Sequence, residues 1–162
     1  METYFDRGQV YLTHLQSAKK AHRCTILSYC LMTNHVHLQI ETEDIEISQM
    51  MKQVNMMYAI FFNDKYNFVG QLMQGRYRAE LIETDEYNLE TSRYIHLNPV
   101  HADIVETPSE YDWSSYQDFL GLRESELVST DKILAYFRGK DPLLYQHYVE
   151  YYLKREGESW QP

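Results

Sequence analysis

The most regular pattern along the chain has a period of two. In residues 35–41, HVHLQIE, polar and aliphatic side chains alternate without a break, the mark of a strand with two unlike faces. The run before it, residues 24–32 (CTILSYCLM), is short, mostly apolar and rich in β-favouring types, and reads as a second strand. Thr33-Asn34 is a turn pair, so the two strands form an antiparallel hairpin. Elsewhere the period is nearer 3.6. Residues 6–22 mix Val10, Leu12, His14 and Leu15 with Lys19 and Lys20 and predict a helix. From Ile47 to about Asn63, Ile47, Met50, Met51, Val54, Met57, Tyr58 and Phe61 recur at helical spacing, an amphipathic helix. Turn residues in 63–75 lead to an expected strand over about 76–83. Thr84-Asp85-Glu86 supplies an N-cap and an acidic first turn for a helix running to about Asn98, where Pro99 is expected to stop it. Residues 108–121 predict a packed loop and short helix, and two further helices are expected near 129–138 and 141–154.

The order helix, strand, strand, helix, strand, helix predicts an α+β fold, an antiparallel sheet with helices packed on one face. The other face of such a sheet is open to solvent or to a ligand. The 162 residues, 19.5 kDa, fit one compact domain over 1–122 with a helical C-terminal extension over 123–162. In that extension Tyr145, Tyr148, Tyr151 and Tyr152 make an aromatic stripe suited to packing on the body. No apolar run approaches the roughly 18 residues that span a bilayer, so no transmembrane helix is expected. The start, METYFDRGQV, has neither a basic n-region nor an apolar h-region, and no signal peptide is expected. Cys24 and Cys30 make neither a disulfide scaffold nor paired zinc spacing. A reducing cytoplasm is the simplest setting.

A formal net charge of −9 and a pI near 5.2 argue against a protein that coats nucleic acid nonspecifically. The charge is segregated, however. No acid falls between Asp6 and Glu41, a stretch that holds Arg7, Lys19, Lys20 and Arg23. Arg76 and Arg78 form a second positive spot, with Lys65 upstream, while Glu80 to Glu90 carries acids and no base. Solvated helix faces explain this, and so does one local basic surface.

Period two places His35, His37 and Gln39 on one side of their strand and Val36, Leu38 and Ile40 on the other. With the aliphatic trio expected toward the core, both histidines face outward or toward a covering helix. Two imidazoles two residues apart on a stiff strand suit a divalent cation, and two surface histidines are the ordinary alternative. On the helix from Asp85, residues Glu90, Tyr94 and Asn98 lie one turn apart. A phenol, with a pKa of about 10, is a poor nucleophile at neutral pH. It attacks a phosphodiester when a cation neutralises the phosphate oxygens. Packing competes as an account of Tyr94, one of fifteen tyrosines, and Asn before Pro is a common helix end.

Three segments carry a resemblance: YCLMTNHVHLQIET (29–42), GQLMQGRYRAELIETDEY (70–87), and RYIHLNPVHADIV with YDWSSY (93–116). Over about residues 5–121 the chain resembles the single-tyrosine HUH transposases, IS200-like, and most closely the branch associated with repetitive extragenic palindromes. The resemblance implies a ferredoxin-like HUH fold and a metal-dependent single-stranded DNA endonuclease and strand transferase. Such an enzyme cleaves at hairpins through a 5′-phosphotyrosine intermediate, in DNA transposition or in processing of the palindromic repeats. Position by position, it implies His35 and His37 as metal ligands with Asn98 the third, Mg²⁺ or Mn²⁺ as the metal, and Tyr94 as the nucleophile. Arg76, Arg78 and Arg93 become candidates for DNA backbone contacts, and Tyr77 for stacking on an unpaired base. His96 and His101 are expected to pack or to touch phosphate, and Glu90 to be a solvated charge rather than a ligand. The partner implied is a DNA hairpin from an insertion-sequence end or a palindromic repeat. The protein would act as a monomer or homodimer in the bacterial cytoplasm, at the nucleoid when active. Family members usually begin with a further strand carrying an RG turn, so that N-terminal strand is expected to be missing here. A catalytically inactive hairpin-binding remnant is the alternative reading.

Overall fold

A computed structural model describes residues 4–43, 46–151 and 153. The elements are α1 (Tyr4–His22), β1 (Thr25–Leu31), β2 (Val36–Glu41), α2 (Ile47–Tyr66), α3 (Asp85–His101), α4 (Tyr116–Phe119), α5 (Asp131–Leu134) and α6 (Pro142–Glu150). Short 3-10 turns lie at Pro108–Glu110 and Arg138–Lys140. The fold is α+β, with a two-stranded antiparallel sheet among the described residues. None of the described helices is long and apolar enough to cross a membrane. The chain forms two compact units, one of Met1–Thr25 with Glu41–Leu81, the other of Ile26–Ile40 with Ile82–Pro162.

In the first unit α1 packs on α2. Tyr11, Leu15 and Ala18 are buried on one helix, and Met50, Met51 and Val54 on the other. Tyr11 meets Tyr58 edge to face with centroids 5.2 Å apart. Arg7 donates from Nε to Tyr66 Oη at 3.1 Å and lies over the same ring. The helix outlasts its expected end at Asn63 and reaches Tyr66, where Asn67 adopts φ 48° and returns its N–H to the Asn63 carbonyl. Asparagine tolerates that left-handed cap.

The strand expected over 76–83 is absent. The segment has no ladder partner among the described residues, and Arg76 through Leu81 are exposed. A strand forms only where a neighbour accepts from its N–H groups and donates to its C=O groups. β-favouring residues alone do not supply one.

In the second unit the Met32 N–H donates to the His35 carbonyl at 2.9 Å across the Thr33-Asn34 turn. β1 is buried from Ile26 to Leu31. Its free edge is covered by irregular chain. The Leu31 N–H reaches the Trp113 carbonyl (2.8 Å), the Ser115 N–H reaches the Tyr29 carbonyl (3.0 Å), and the Ser129 N–H reaches the Ile26 carbonyl (2.9 Å). The Tyr29 N–H in turn donates to Ser115 Oγ at 2.9 Å. These bonds satisfy buried backbone that would otherwise be orphaned.

β2 meets a covering helix on its histidine side, one of the two arrangements expected. Val36, Leu38 and Ile40 are only half-buried, while Gln39, on the histidine side, is 2 % exposed. The polar side is the one covered by α3. A buried glutamine is tolerable when its amide atoms are bonded, and here Nε2 donates to Asn88 Oδ1 (2.6 Å) and the Asn88 carbonyl (2.8 Å). Oε1 accepts from Ser28 Oγ (2.7 Å). Alongside this lies an apolar cluster of Cys30, Met32, Ile95 and Tyr111.

Helix α3 starts as expected, with Thr84 Oγ1 accepting from the Tyr87 N–H at 3.1 Å. Pro99 does not end it. The helix runs on to His101, because a proline in the last turn costs one backbone donor while the Ala102 and Ile104 N–H groups still reach the Asn98 and Pro99 carbonyls. The helix expected over 129–138 shrinks to the single turn of α5, and Gly139 turns the chain at φ 67° before α6. Through Tyr145, fully buried and stacked on Phe119 at 4.7 Å, α6 packs into the core beside α3.

Arg123 ties this unit together. It pairs with Asp118 and donates to the Asp112 carbonyl (2.8 Å), the Ser114 carbonyl (2.5 Å) and Tyr29 Oη (3.1 Å). The two paired side chains are 28 % and 4 % exposed. Arg123→Ala leaves a buried carboxylate and carbonyls unpartnered and should lower stability by about 3 kcal/mol in urea unfolding. Lys140→Ala, which breaks a pair whose side chains are 54 % and 78 % exposed, should cost less than about 1 kcal/mol in the same assay.

Candidate active site

Alternation along β2 sends His35 and His37 to one side, and their ring centroids lie 4.8 Å apart at 87°. α3 presents Tyr94 to them, its ring edge-on to His37 at 5.5 Å and 81°. One turn further, Asn98 hydrogen-bonds His37 with its side chain and donates from Nδ2 to the Tyr94 carbonyl at 2.8 Å. The four residues singled out by spacing and resemblance therefore sit together. Tyr94 is 49 % exposed, open to a reactant as large as a nucleic acid. Burial lowers the pKa of His37, and the neighbouring His35 lowers it further, against the opposing bond to Asn98. The net effect favours the neutral ring, the form that carries a lone pair.

Among the described residues no group of three or more His, Cys, Asp and Glu side chains is placed to hold a metal. The third donor beside the two histidines is instead an amide. Two neutral imidazoles with one carboxamide oxygen make a nitrogen and oxygen donor set that leaves positions free on a six-coordinate ion, so His35, His37 and Asn98 fit a small divalent cation.

The expected face of Glu90, Tyr94 and Asn98 divides. Steps of four residues advance the helix by about 40° each, so the outer two differ by about 80°. The Glu90 side chain is 44 % exposed. It pairs with Arg93 at 2.5 Å and accepts from Tyr148 Oη at 3.2 Å. Arg93 is 14 % exposed, and its guanidinium lies 5.0 Å from the Tyr148 ring centre. Its resting partners are thus within the fold. Arg76, Tyr77 and Arg78 belong to the first unit, on an exposed irregular segment.

His96 packs, as expected of it. Fully buried, it meets Tyr145 Oη at Nδ1 and Ser115 Oγ at Nε2, both at 2.7 Å. Burial, with a smaller contribution from Arg123, pushes its pKa down to about 3. His101 lies exposed at the end of α3. Residues that sequence reasoning passed over are Asn34, whose Oδ1 lies 2.6 Å from His35 Nδ1, and the chain Ser28, Gln39, Asn88, Tyr136 and Asp85. A polar residue at a buried strand position was the available signal for the second. The first had only adjacency.

The arrangement defines a class: a strand-borne histidine pair set against a helix-borne tyrosine and asparagine, at an open face of an α+β unit. A family model described as "Transposase IS200 like" matches residues 5–98, a span that includes His35, His37, Tyr94 and Asn98. The chain belongs to the IS200-like transposase family, whose members are DNA-cleaving enzymes. No curated protein and no solved structure matches it.

The buried His96 makes stability depend on pH. An unfolded histidine takes a proton near 6.5, the native one only near 3. Between those values the unfolded chain binds more protons, so this site's contribution is intact above about pH 6.5. It falls as pH drops, by up to about 1.4 kcal/mol per unit. Urea unfolding of His96→Asn should show a stability deficit at pH 7 that narrows by pH 4.5. A deficit independent of pH contradicts the buried neutral ring.

Proposed function

We propose that the chain is a metal-dependent single-stranded DNA endonuclease and strand transferase, nearest to the transposase branch associated with repetitive extragenic palindromes. It acts at hairpins through a 5′-phosphotyrosine intermediate, as a monomer or homodimer, in the cytoplasm where its substrate lies. In this reading residues 1–122 carry the catalytic domain and residues 123–162 its helical extension. The observation that supports it best is the approach of the half-exposed Tyr94 ring to His37, beside His35 and Asn98.

Tyr94 Oη gives up its proton and attacks the scissile phosphorus. The new bond joins the phenolic oxygen to phosphorus, the bond from phosphorus to the 3′ oxygen breaks, and that oxygen leaves as a hydroxyl after taking a proton. The phosphotyrosine keeps the bond energy, so a second 3′-OH rejoins the strand by the reverse of these steps. His35, His37 and Asn98 would hold Mg²⁺ or Mn²⁺, which would supply charge neutralisation at the phosphate oxygens. The strand keeps the two imidazoles in a fixed relation, and the Asn98 bond to the Tyr94 carbonyl stiffens the turn that carries the phenol. Exposed Arg76 and Arg78 suit phosphate contacts, with Tyr77, 38 % exposed, available to stack on a base. Arg93 would serve the backbone only by leaving Glu90.

A hairpin-bearing single strand incubated with Mn²⁺ should give an adduct that survives SDS. Tyr94→Phe and chelation with EDTA should each abolish it. Binding of the hairpin by the native protein with no adduct under any metal condition would favour the inactive remnant. Arg76→Ala and Arg78→Ala should each weaken hairpin binding and reduce the slope of log affinity against log salt by about 0.7, the contribution of one phosphate contact on a single strand.

A further inference from the structure

We infer that Asn34 is a positioning residue for the metal site, holding His35 in the tautomer that turns its Nε2 lone pair outward. This rests on the reading of His35 as a ligand. The two histidines of the site are held differently. His37 bonds Asn98, itself a candidate ligand. His35 contacts Asn34 Oδ1 through Nδ1 at 2.6 Å, and Asn34 belongs to the two-residue turn that joins the strands.

The chemistry of that contact is one-sided. An amide oxygen accepts and never donates, so a ring nitrogen hydrogen-bonded to it must carry the hydrogen. With the proton on Nδ1, the lone pair of the neutral ring resides on Nε2. A free histidine side chain in water prefers the opposite tautomer, with the proton on Nε2 and no lone pair there. Asn34 thus opposes an intrinsic preference and does so before any cation arrives. Metal-bound histidines generally need such a partner on the second nitrogen, and its loss weakens binding. Because Asn34 is exposed in a turn and adjacent to His35 in sequence, its replacement removes the bond without emptying the core. The bond belongs to the turn and not to the packing of β2 against α3.

The test has two readouts on one set of proteins. Long-range proton–nitrogen correlation spectra of metal-free protein labelled at histidine nitrogens report the tautomer of His35. They should show Nδ1–H in the native protein, Nε2–H in Asn34→Ala, and Nδ1–H again in Asn34→Asp, which keeps an acceptor in place. Titration with Mn²⁺ alone should then show binding about ten to a hundredfold weaker in Asn34→Ala and restored in Asn34→Asp. Native protein carrying Nε2–H at His35 overturns the inference. So does a tautomer change with no loss of Mn²⁺ affinity, or a loss of affinity with no tautomer change. Failure of the native protein to bind Mn²⁺ overturns the ligand reading itself, a result distinguishable because the spectra are recorded without metal.

Discussion

The buried hydrogen bonds between Gln39 and Asn88 are the constraint on which the site depends. His37 rides on β2 with His35 just before it, and Tyr94 and Asn98 on α3, so the candidate site exists only if those elements meet in one register. Apolar contacts alone fix such a register poorly, because a slide of one residue loses little area. A glutamine amide that must reach both Asn88 Oδ1 and the Asn88 carbonyl accepts one alignment. A buried amide left without those partners would cost about 1–3 kcal/mol. The chain continues from Asn88 Nδ2 to Tyr136 Oη at 3.1 Å and from Tyr136 to Asp85 at 2.8 Å, which seats the start of the helix as well.

The far end of α3 is seated by a different device. Two residues after Tyr94 the helix buries His96, whose ring bridges Tyr145 of α6 and Ser115 beside β1. Ser115 also meets the Tyr29 backbone, so one side chain joins helix α3, helix α6 and the covered edge of β1. Tyr94 and His96 therefore divide the labour of one helical turn. The first stays half in solvent, and the second is sealed so completely that it stays neutral. Helix α3 is thus tied into the fold at Asn88 and at His96, on either side of the half-exposed Tyr94.

Electrostatics separate in the same way. The chain is acidic in total, yet Glu90, four residues before Tyr94, is paired with Arg93. Two imidazoles, a phenol and an amide, with no carboxylate, make up the candidate site itself. Such a set repels a polyanion less than carboxylate ligands would. A chain with a formal net charge of −9 is in this way compatible with DNA as its substrate.

Much of this was legible in the residues. Clean alternation in HVHLQIE located β2 and placed His35 and His37 on one side, and the Thr84-Asp85-Glu86 signal located the start of α3. Both are local properties, set by backbone geometry and by capping chemistry within a few residues. Other features were decided only in three dimensions. Alternation distinguishes two faces but not which one is covered. On the histidine side the cover is α3, and Gln39 is buried there because both ends of its amide find partners. The expected strand at 76–83 had suitable residues and no neighbour, and strand pairing is a property of two segments. Pro99 looked like a stop and was absorbed into a last turn whose later N–H groups still found acceptors. The sequence by itself determined which residues were candidates for the chemistry. Their meeting was decided by the tertiary structure, since bonds such as Gln39 to Asn88 join positions 49 residues apart and no local pattern encodes them.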